Sequence, residues 1–221
     1  NGGAASDTLT ITDIGAVVAN FNAGADDIDV LTLAYTDVSD PAVTAQWLIN
    51  AAPSVTFGSG SVGFSNVETV NGSAYVDQVN ISSSAVSTFN GLAGEDNITL
   101  NSGAVVTTIN GGEDNDTIIV NAGTIATILG GAGDDDISTS VDVTTIDGGS
   151  NGTTGDTLTV SSISTDTNDW AITAENQGNV NGDLSIDSFT DVEHIEGGAG
   201  VDNINVAANI GSINGAGGSD T

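Results

Sequence analysis

The chain has 221 residues and an extreme charge balance, with 30 Asp and Glu, no Lys or Arg, and a net charge of −30. Without basic side chains it cannot neutralise phosphates, so nucleic acid and anionic membrane surfaces are excluded as partners. It has no run of about 18 apolar residues, so no membrane insertion is predicted. High charge with 4% aromatic residues is typical of disorder, but 38% hydrophobic residues at regular spacing predict a folded chain neutralised by bound cations.

Residues 1–11 introduce a phrase that recurs along the chain: small residues with glycine, an aspartate, and then apolar residues at alternate positions. From Asp77 to Asp156 the recurring aspartates fall 19, 20, 19 and 21 residues apart. A fixed period near 20 predicts a solenoid with one coil per repeat, in which each glycine-rich loop is a turn. The phrase is found nine times, and its aspartates are Asp7, Asp26, Asp77, Asp96, Asp116, Asp135, Asp156, Asp202 and Asp220.

Apolar residues on both sides of the loops indicate short strands. Ile98 and Leu100 follow one loop with a period of two, and Ile109 precedes the next loop. Stacked coils would superpose such positions into continuous apolar columns, about 4.8 Å from coil to coil. We therefore predict an all-β fold, a right-handed parallel β-solenoid (a β-roll or β-helix) with about 18–21 residues per coil, forming one unit over residues 1–221.

Two longer segments, residues 31–67 and 157–192, interrupt the period and are predicted to be inserted excursions. Each carries one tryptophan, Trp47 or Trp170, and each ends on a Phe-x-x-Val-Glu sequence. The glutamates of these two sequences, Glu68 and Glu193, are 125 residues apart. This likeness indicates an internal duplication. We expect the tryptophans to pack on the flank of the solenoid and protect its edges; the alternative is that they contact a partner or a glycan.

The loops offer oxygen ligands and little else. Stacked carboxylates repel one another, and a divalent cation between coils would reverse the sign of that interaction. Calcium accepts six to eight oxygens in loose geometry, whereas transition metals favour His or Cys. We predict several Ca²⁺ ions bridging successive coils, held by the nine recurring aspartates together with Glu95, Asp114 and Asp134. The alternative is a metal-free solenoid in which each aspartate caps its own turn.

These loops resemble the glycine- and aspartate-rich nonapeptide of the repeats-in-toxin family, Gly-Gly-x-Gly-x-Asp-x-apolar-x. The best matches are residues 130–137, aligned on Asp135, and residues 197–204, aligned on Asp202. The resemblance implies a calcium-filled parallel β-roll of the kind found in secreted toxins, proteases, lipases, adhesins and surface-layer proteins. This chain has one loop per coil where the family has two, which implies calcium along one edge only.

No catalytic grouping stands out in the sequence. Ser and Thr have no paired base, and His194, the sole histidine, is expected to be a packed or exposed side chain. We predict that the chain is not an enzyme but a structural piece of an extracellular or cell-surface bacterial assembly, such as a surface layer, a filament or a giant adhesin. The alternative is a carbohydrate-binding or carbohydrate-active β-helix that uses the Trp47 and Trp170 excursions.

The two ends of the sequence resemble each other. Residues 1–8 and 214–221 agree at five of eight aligned positions. We therefore expect coils to continue head to tail, either within a longer array or between copies in a homo-oligomer, with calcium bridging the seam beside Asp220.

Overall fold

A computed structural model of the chain describes residues 5–12, 18–24, 28–34, 44–57, 60–83, 86–161 and 167–221. The regular elements of this part are all β-strands. The first half contains β1 (Thr8–Ile11), β2 (Val18–Asn22), β3 (Val30–Leu33), β4 (Ala45–Ile49), β5 (Ser54–Phe57), β6 (Gly60–Ser65), β7 (Thr69–Asn71), β8 (Asp77–Ile81), β9 (Thr88–Ala93), β10 (Asn97–Leu100) and β11 (Val105–Glu113). The second half contains β12 (Thr117–Val120), β13 (Thr124–Gly133), β14 (Asp136–Thr139), β15 (Val143–Asn151), β16 (Thr157–Val160), β17 (Thr167–Ala174), β18 (Gln177–Gly182), β19 (Ile186–Thr190), β20 (His194–Gly198), β21 (Val201–Val206) and β22 (Ser212–Ala216).

The strands form two 11-stranded sheets. Sheet A has the order β1-β3-β7-β9-β11-β13-β15-β19-β18-β17-β21, and sheet B has the order β2-β6-β5-β4-β8-β10-β12-β14-β16-β20-β22. In the regular part, consecutive strands of the chain alternate between the sheets, and each strand pairs in parallel with the strand one coil away. The fold class predicted from the sequence, an all-β parallel β-solenoid, is confirmed. No described residue belongs to a helix long and apolar enough to cross a membrane.

The core consists of apolar columns on the inner faces of the two sheets. Alternation places every second side chain inside, and the register superposes them from coil to coil. Each fully buried side chain of this size stabilises the fold by about 1.5–3 kcal/mol. One of these columns, which we call the sheet A column, contains Leu31, Val70, Phe89, Ile109, Ile128, Ile146 and Phe189, and another, which we call the sheet B column, contains Trp47, Val79, Ile98, Ile118, Ile137, Leu158 and Ile195.

Each excursion adds antiparallel strands to one sheet. Strands β4, β5 and β6 pair antiparallel within sheet B, and β17, β18 and β19 do so within sheet A. The irregular part of each is shorter than the span predicted from the sequence, because β3 and β16 pair in parallel with regular strands.

The two tryptophans lie in the core and not on the flank. Trp47 is 2% exposed and Trp170 is 1% exposed. Trp47 packs edge-on against Phe64 with ring centroids 6.3 Å apart, and Trp170 packs against Phe189 in the same way at 6.2 Å. The expectation of a flank position was wrong because the strands that carry the rings pair in register with solenoid strands, which turns each ring inward.

The excursions also change the edge on which the aspartate loops lie. We call the turns from sheet A to sheet B the AB edge and the turns from sheet B to sheet A the BA edge. The carboxylate of Glu68 lies at a BA turn, before β7, and that of Asp77 at the following AB turn, before β8. At the second excursion the two edges are exchanged: Glu193 lies at an AB turn, before β20, and Asp202 lies at the BA turn that follows β20. The carboxylate turns therefore lie on both edges, whereas calcium along one edge only would need them all on the same edge. The change occurs because at each excursion two carboxylate turns are separated by a single strand.

Candidate functional site: the carboxylate ladders

The recurring carboxylates point into the solenoid. Asp77, Asp96, Asp116, Asp135 and Asp156 are each at most 2% exposed. They stack from coil to coil along the AB edge, because the strands that follow them pair in register. We call such a stack a carboxylate ladder.

One hydrogen bond builds the ladder. The backbone N–H of each aspartate donates to Oδ1 of the aspartate one coil further on, a bond to a charged acceptor that is worth about 1.5–3 kcal/mol. Along the AB edge the bonds run from Asp77 to Asp96 (2.7 Å), Asp96 to Asp116 (2.8 Å), Asp116 to Asp135 (2.8 Å), Asp135 to Asp156 (2.7 Å) and Asp156 to Glu193 Oε2 (2.9 Å).

Two shorter ladders lie along the BA edge. In the first, Asp7 N–H donates to Asp29 Oδ1 (2.6 Å) and Asp29 N–H donates to Glu68 Oε2 (2.8 Å). In the second, Asp202 N–H donates to Asp220 Oδ1 (3.1 Å). Asp29 therefore holds the ladder position that the sequence period assigned to Asp26, which lies outside the described residues.

Each tryptophan supplies the first donor of a ladder. Trp47 Nε1–H donates to Asp77 Oδ1 (2.8 Å), and Trp170 Nε1–H donates to Asp202 Oδ1 (2.9 Å). The preceding coil has no ladder carboxylate here, since β4 and β17 belong to the excursions. We call each carboxylate of a ladder a rung. At the first rung the indole N–H thus replaces the backbone N–H that donates to the other rungs. The glutamate of each Phe-x-x-Val-Glu segment is the last rung of the preceding ladder.

The tryptophan donor gives a testable prediction. Trp47→Phe keeps an aromatic ring in the core but leaves Asp77 Oδ1 without its indole donor, so we expect the free energy of unfolding to fall by about 1–3 kcal/mol. Urea denaturation followed by circular dichroism measures it. Phe64→Leu is the control for ring packing without a hydrogen bond, and a Trp47→Phe chain as stable as the parent would contradict the prediction.

The second oxygen of the buried aspartates has no donor. Oδ2 of Asp96, Asp116, Asp135, Asp156 and Asp202 is buried and makes no hydrogen bond. A Cβ built on Gly91 would lie 2.2 Å from Asp96 Oδ2 and 2.3 Å from the carbonyl oxygen of Gly111 in the next coil. Two acceptors therefore converge beside each such glycine, where only the missing side chain makes room for them. Asp77 is the exception, because its Oδ2 accepts from Ser73 N–H (2.8 Å).

Burial governs the protonation of these groups. It raises the pKa of Asp96 to about 9, those of Asp116 and Asp156 to about 7, and those of Asp77 and Asp135 to about 6, from an ordinary value of 3.8. Neighbouring carboxylates add to the rise in the pKa of Asp96, Asp116, Asp135 and Asp156. A buried carboxylate that has only one of its two oxygens satisfied is costly when charged, and a proton or a cation would relieve that cost at Asp96, Asp116, Asp135 and Asp156.

The acids beside the loops have a different role. Asp134 accepts hydrogen bonds from the N–H groups of Thr153 (2.9 Å), Thr154 (3.0 Å) and Gly155 (2.7 Å), which lower the pKa of its carboxyl. Asp114 Oδ2 accepts from Gly94 N–H (3.2 Å). These two side chains connect one loop to the next from outside the ladder, and Glu95 is exposed in one of the same loops.

The structure therefore divides the predicted ligand set. Asp77, Asp96, Asp116, Asp135, Asp156 and Asp202 are buried in ladders, Asp7 and Asp220 occupy ladder ends, and Glu95, Asp114 and Asp134 lie outside the ladders. Within the described ranges, no three Asp, Glu or His side chains come together as metal ligands would.

The oxygens of a rung nevertheless suit a hard cation. Every buried rung named above except Asp77 offers an Oδ2 that makes no hydrogen bond, and a carbonyl oxygen converges with it, as that of Gly111 does with Asp96. Such an all-oxygen donor set is what Ca²⁺ accepts. A proton on Oδ2, donated to the same carbonyl, would satisfy both oxygens equally well.

Sequence reasoning missed Asp29, Glu68 and Glu193 as rungs. A signal was present for the glutamates, because both stand nine residues before a ladder aspartate.

His194 is held by hydrogen bonds: its Nε2–H donates to the carbonyl oxygen of Thr154 (2.8 Å), and its Nδ1 lies 2.7 Å from Ser212 Oγ.

Fold and site together define a class: a parallel β-solenoid whose turns are joined by internal carboxylate ladders. No protein-family model, no curated protein and no solved structure matches the chain.

Proposed function

We propose that this chain is a structural, calcium-binding module of an extracellular bacterial assembly such as a surface layer, a filament or a giant adhesin. The observation that carries the proposal is the run of buried Oδ2 atoms without donors, one per coil at Asp96, Asp116, Asp135 and Asp156. A role in catalysis is not proposed, since these carboxylates are engaged in holding coils together and are closed to solvent.

Calcium would be held by these Oδ2 atoms together with backbone carbonyls such as that of Gly111. It would supply the counter-charge that a chain of net charge −30 lacks, and it would tie each coil to the next. The alternation of ladder carboxylates between the AB and BA edges would then place the ions on both sides of the rod.

The apolar column at the last described coil supports stacking onto a further coil. Ile213 continues the sheet B column after Ile195, but it is 41% exposed where Ile195 is 1% exposed. We propose that a further coil covers it, either from the same polypeptide or from a second copy. Stacking between copies is tested by light scattering in calcium, which compares the molar mass of the parent chain with that of the Ile213→Asp variant. The variant should remain monomeric, because its charged side chain would prevent the contact.

Calcium dependence is tested by chelation. We expect excess chelator at neutral pH to reduce the β-type circular dichroism of the chain and millimolar calcium to restore it. Among alanine variants, Asp116→Ala and Asp135→Ala should weaken the calcium response most, because both have complete neighbours, and Asp7→Ala should weaken it least.

Asparagine variants distinguish a rung that binds a cation from a rung that holds a proton. Asp116→Asn keeps an acceptor for Asp96 N–H and places an amide donor toward the Gly130 carbonyl, so a protonated rung would tolerate it. A calcium-filled rung would lose its charged ligand and part of its calcium response. Asp187→Asn removes one exposed charge outside the ladders and is the control. If excess chelator leaves the spectrum and the melting temperature unchanged at neutral pH, the calcium proposal is wrong.

A further inference from the structure

The outer face of sheet B carries a regular group of neutral polar side chains above the first excursion. One row crosses four adjacent strands, with Thr56, Gln46, Gln78 and Asn97 in register. A second row places Leu48 between Ser54 and Asn80. These rows line an open depression of about 480 Å³, which we call the amide depression.

Three of the four amides of this depression are free, unlike others on the surface, and the fourth, Asn80, accepts a hydrogen bond from Asn101 Nδ2–H through its Oδ1 (3.4 Å). Elsewhere stacked amides pair with each other, as when Asn90 Nδ2–H donates to Asn71 Oδ1 (2.8 Å) and Asn121 Nδ2–H donates to Asn101 Oδ1 (3.2 Å). The side chains of Gln46, Gln78 and Asn97 make no hydrogen bond within the described part of the chain. Each therefore presents both donors and an acceptor to solvent.

The charge of the depression limits what it can bind. None of its lining side chains is charged, in a chain that carries 30 acidic residues. Its centre is Leu48, an apolar side chain that is 45% exposed. A ligand that matches this surface is uncharged, both donates and accepts hydrogen bonds, and has an apolar face. Neutral sugars have these properties, since their hydroxyl groups surround a C–H face.

The floor of the depression is rigid. Trp47 lies between Gln46 and Leu48 in β4 and points into the core, where its ring is packed against Phe89 with centroids 5.8 Å apart. Its indole N–H is fixed on Asp77. The strand that carries Gln46 and Leu48 therefore needs no reordering on binding, although the free Gln side chains still lose rotamer freedom. The volume lies in the range of small-ligand sites, about 300–1,000 Å³.

We propose that the amide depression is a binding site for a neutral oligosaccharide, with Gln46, Gln78 and Asn97 hydrogen-bonding its hydroxyl groups and Leu48 packing against its C–H face. This site differs from the tryptophan contact expected from the sequence, because the Trp47 ring is buried beneath it. No ladder carboxylate is among the residues that line it.

The second excursion contains a natural comparison. At the equivalent place on sheet A, Asp169 is in register with Asn181 and Asn203. There Asn203 Nδ2–H donates to Asp169 Oδ1 (2.8 Å), and Thr221 Oγ1–H donates to Asn203 Oδ1 (2.8 Å). Because this depression contains a carboxylate and the amides of Asn181 and Asn203 are already paired, we assign no sugar to it.

The experiment uses the full chain in calcium and a panel of fluorescently tagged neutral trisaccharides of glucose, galactose, mannose and N-acetylglucosamine, with sialylated and sulfated trisaccharides as anionic probes. We expect at least one neutral probe to bind and the anionic probes to bind at least about tenfold more weakly. The double variant Gln46→Ala, Gln78→Ala should lose about tenfold or more in affinity, because two hydrogen bonds are removed. The side-chain amide NMR signals of Gln46 and Gln78 should shift on titration.

The matched control is the double variant Asp169→Ala, Asn203→Ala at the second depression, which should bind the same probe as tightly as the parent. Circular dichroism checks that both variants are folded. The proposal is overturned if no neutral probe binds, if anionic probes bind equally well, or if the Gln46, Gln78 variant retains parental affinity. A loss confined to the Asp169, Asn203 variant would also overturn it.

Discussion

In excess chelator, the melting temperature of the chain should be highest near pH 4 and should fall as the pH rises toward 8. Burial raises the pKa values of Asp77, Asp96, Asp116, Asp135 and Asp156 to between about 6 and about 9, whereas the ordinary value is 3.8. Between those limits the folded chain holds protons that the unfolded chain releases. The stability that these bound protons contribute is therefore fully present below about pH 4 and is lost as the pH rises through the pKa values of the folded chain. Calcium should oppose the loss, because a bound cation favours the charged carboxylate.

Thermal melts at one-unit intervals from pH 4 to pH 8, in chelator and in calcium, test this dependence. The double variant Asp116→Asn, Asp135→Asn should flatten the slope in chelator, because two of the titrating rungs are removed. The double variant Asp187→Asn, Glu175→Gln removes two exposed acids instead and controls for general charge repulsion. A melting temperature in chelator that rises from pH 4 to pH 8 would show that the buried rungs do not hold protons.

Alanine in place of the glycine beside a rung should destabilise the fold strongly. In Gly111→Ala the new Cβ would lie 2.2 Å from Asp116 Oδ2 and 2.6 Å from the carbonyl oxygen of Gly130. Neither oxygen can withdraw without breaking the ladder or the coil pairing, so we expect a loss of about 3 kcal/mol or more. Chemical denaturation at pH 5 in calcium measures it.

Gly217→Ala is the matched control for this change. Its Cβ would meet no atom closer than 3.7 Å, the Cα of Ala199, and should cost little. If Gly111→Ala and Gly217→Ala have the same stability, the close approach of the carboxylate to the glycine is not a feature of the folded chain.

The coil period and the apolar columns could be predicted because they are local properties of the sequence. Ile98, Ile118 and Ile137 recur at one position of the repeat, and their alternation with polar residues fixes which face is buried. The inward direction of the aspartates was missed because an acidic loop residue is ordinarily solvated. A glycine five residues before Asp96, Asp116 and Asp135 was the available sign, since it leaves space for a carboxylate inside the turn.

The tryptophan contacts could not be predicted from the sequence. Trp47 and Asp77 are 30 residues apart, and their hydrogen bond exists because β4 joins sheet B next to β8. The edge on which a loop lies was also set by topology, although the nine-residue step from Glu68 to Asp77 was visible.

The change of edge at each excursion has a geometric consequence for any longer array of this unit. Trp47 lies in sheet B and Trp170, its counterpart in the duplication, lies in sheet A. The segment from one tryptophan to the other therefore spans a half-integral number of coils. In an array of such units, each unit would be turned by half a revolution about the long axis relative to the one before it, and any bend that one unit introduced would be cancelled by the next.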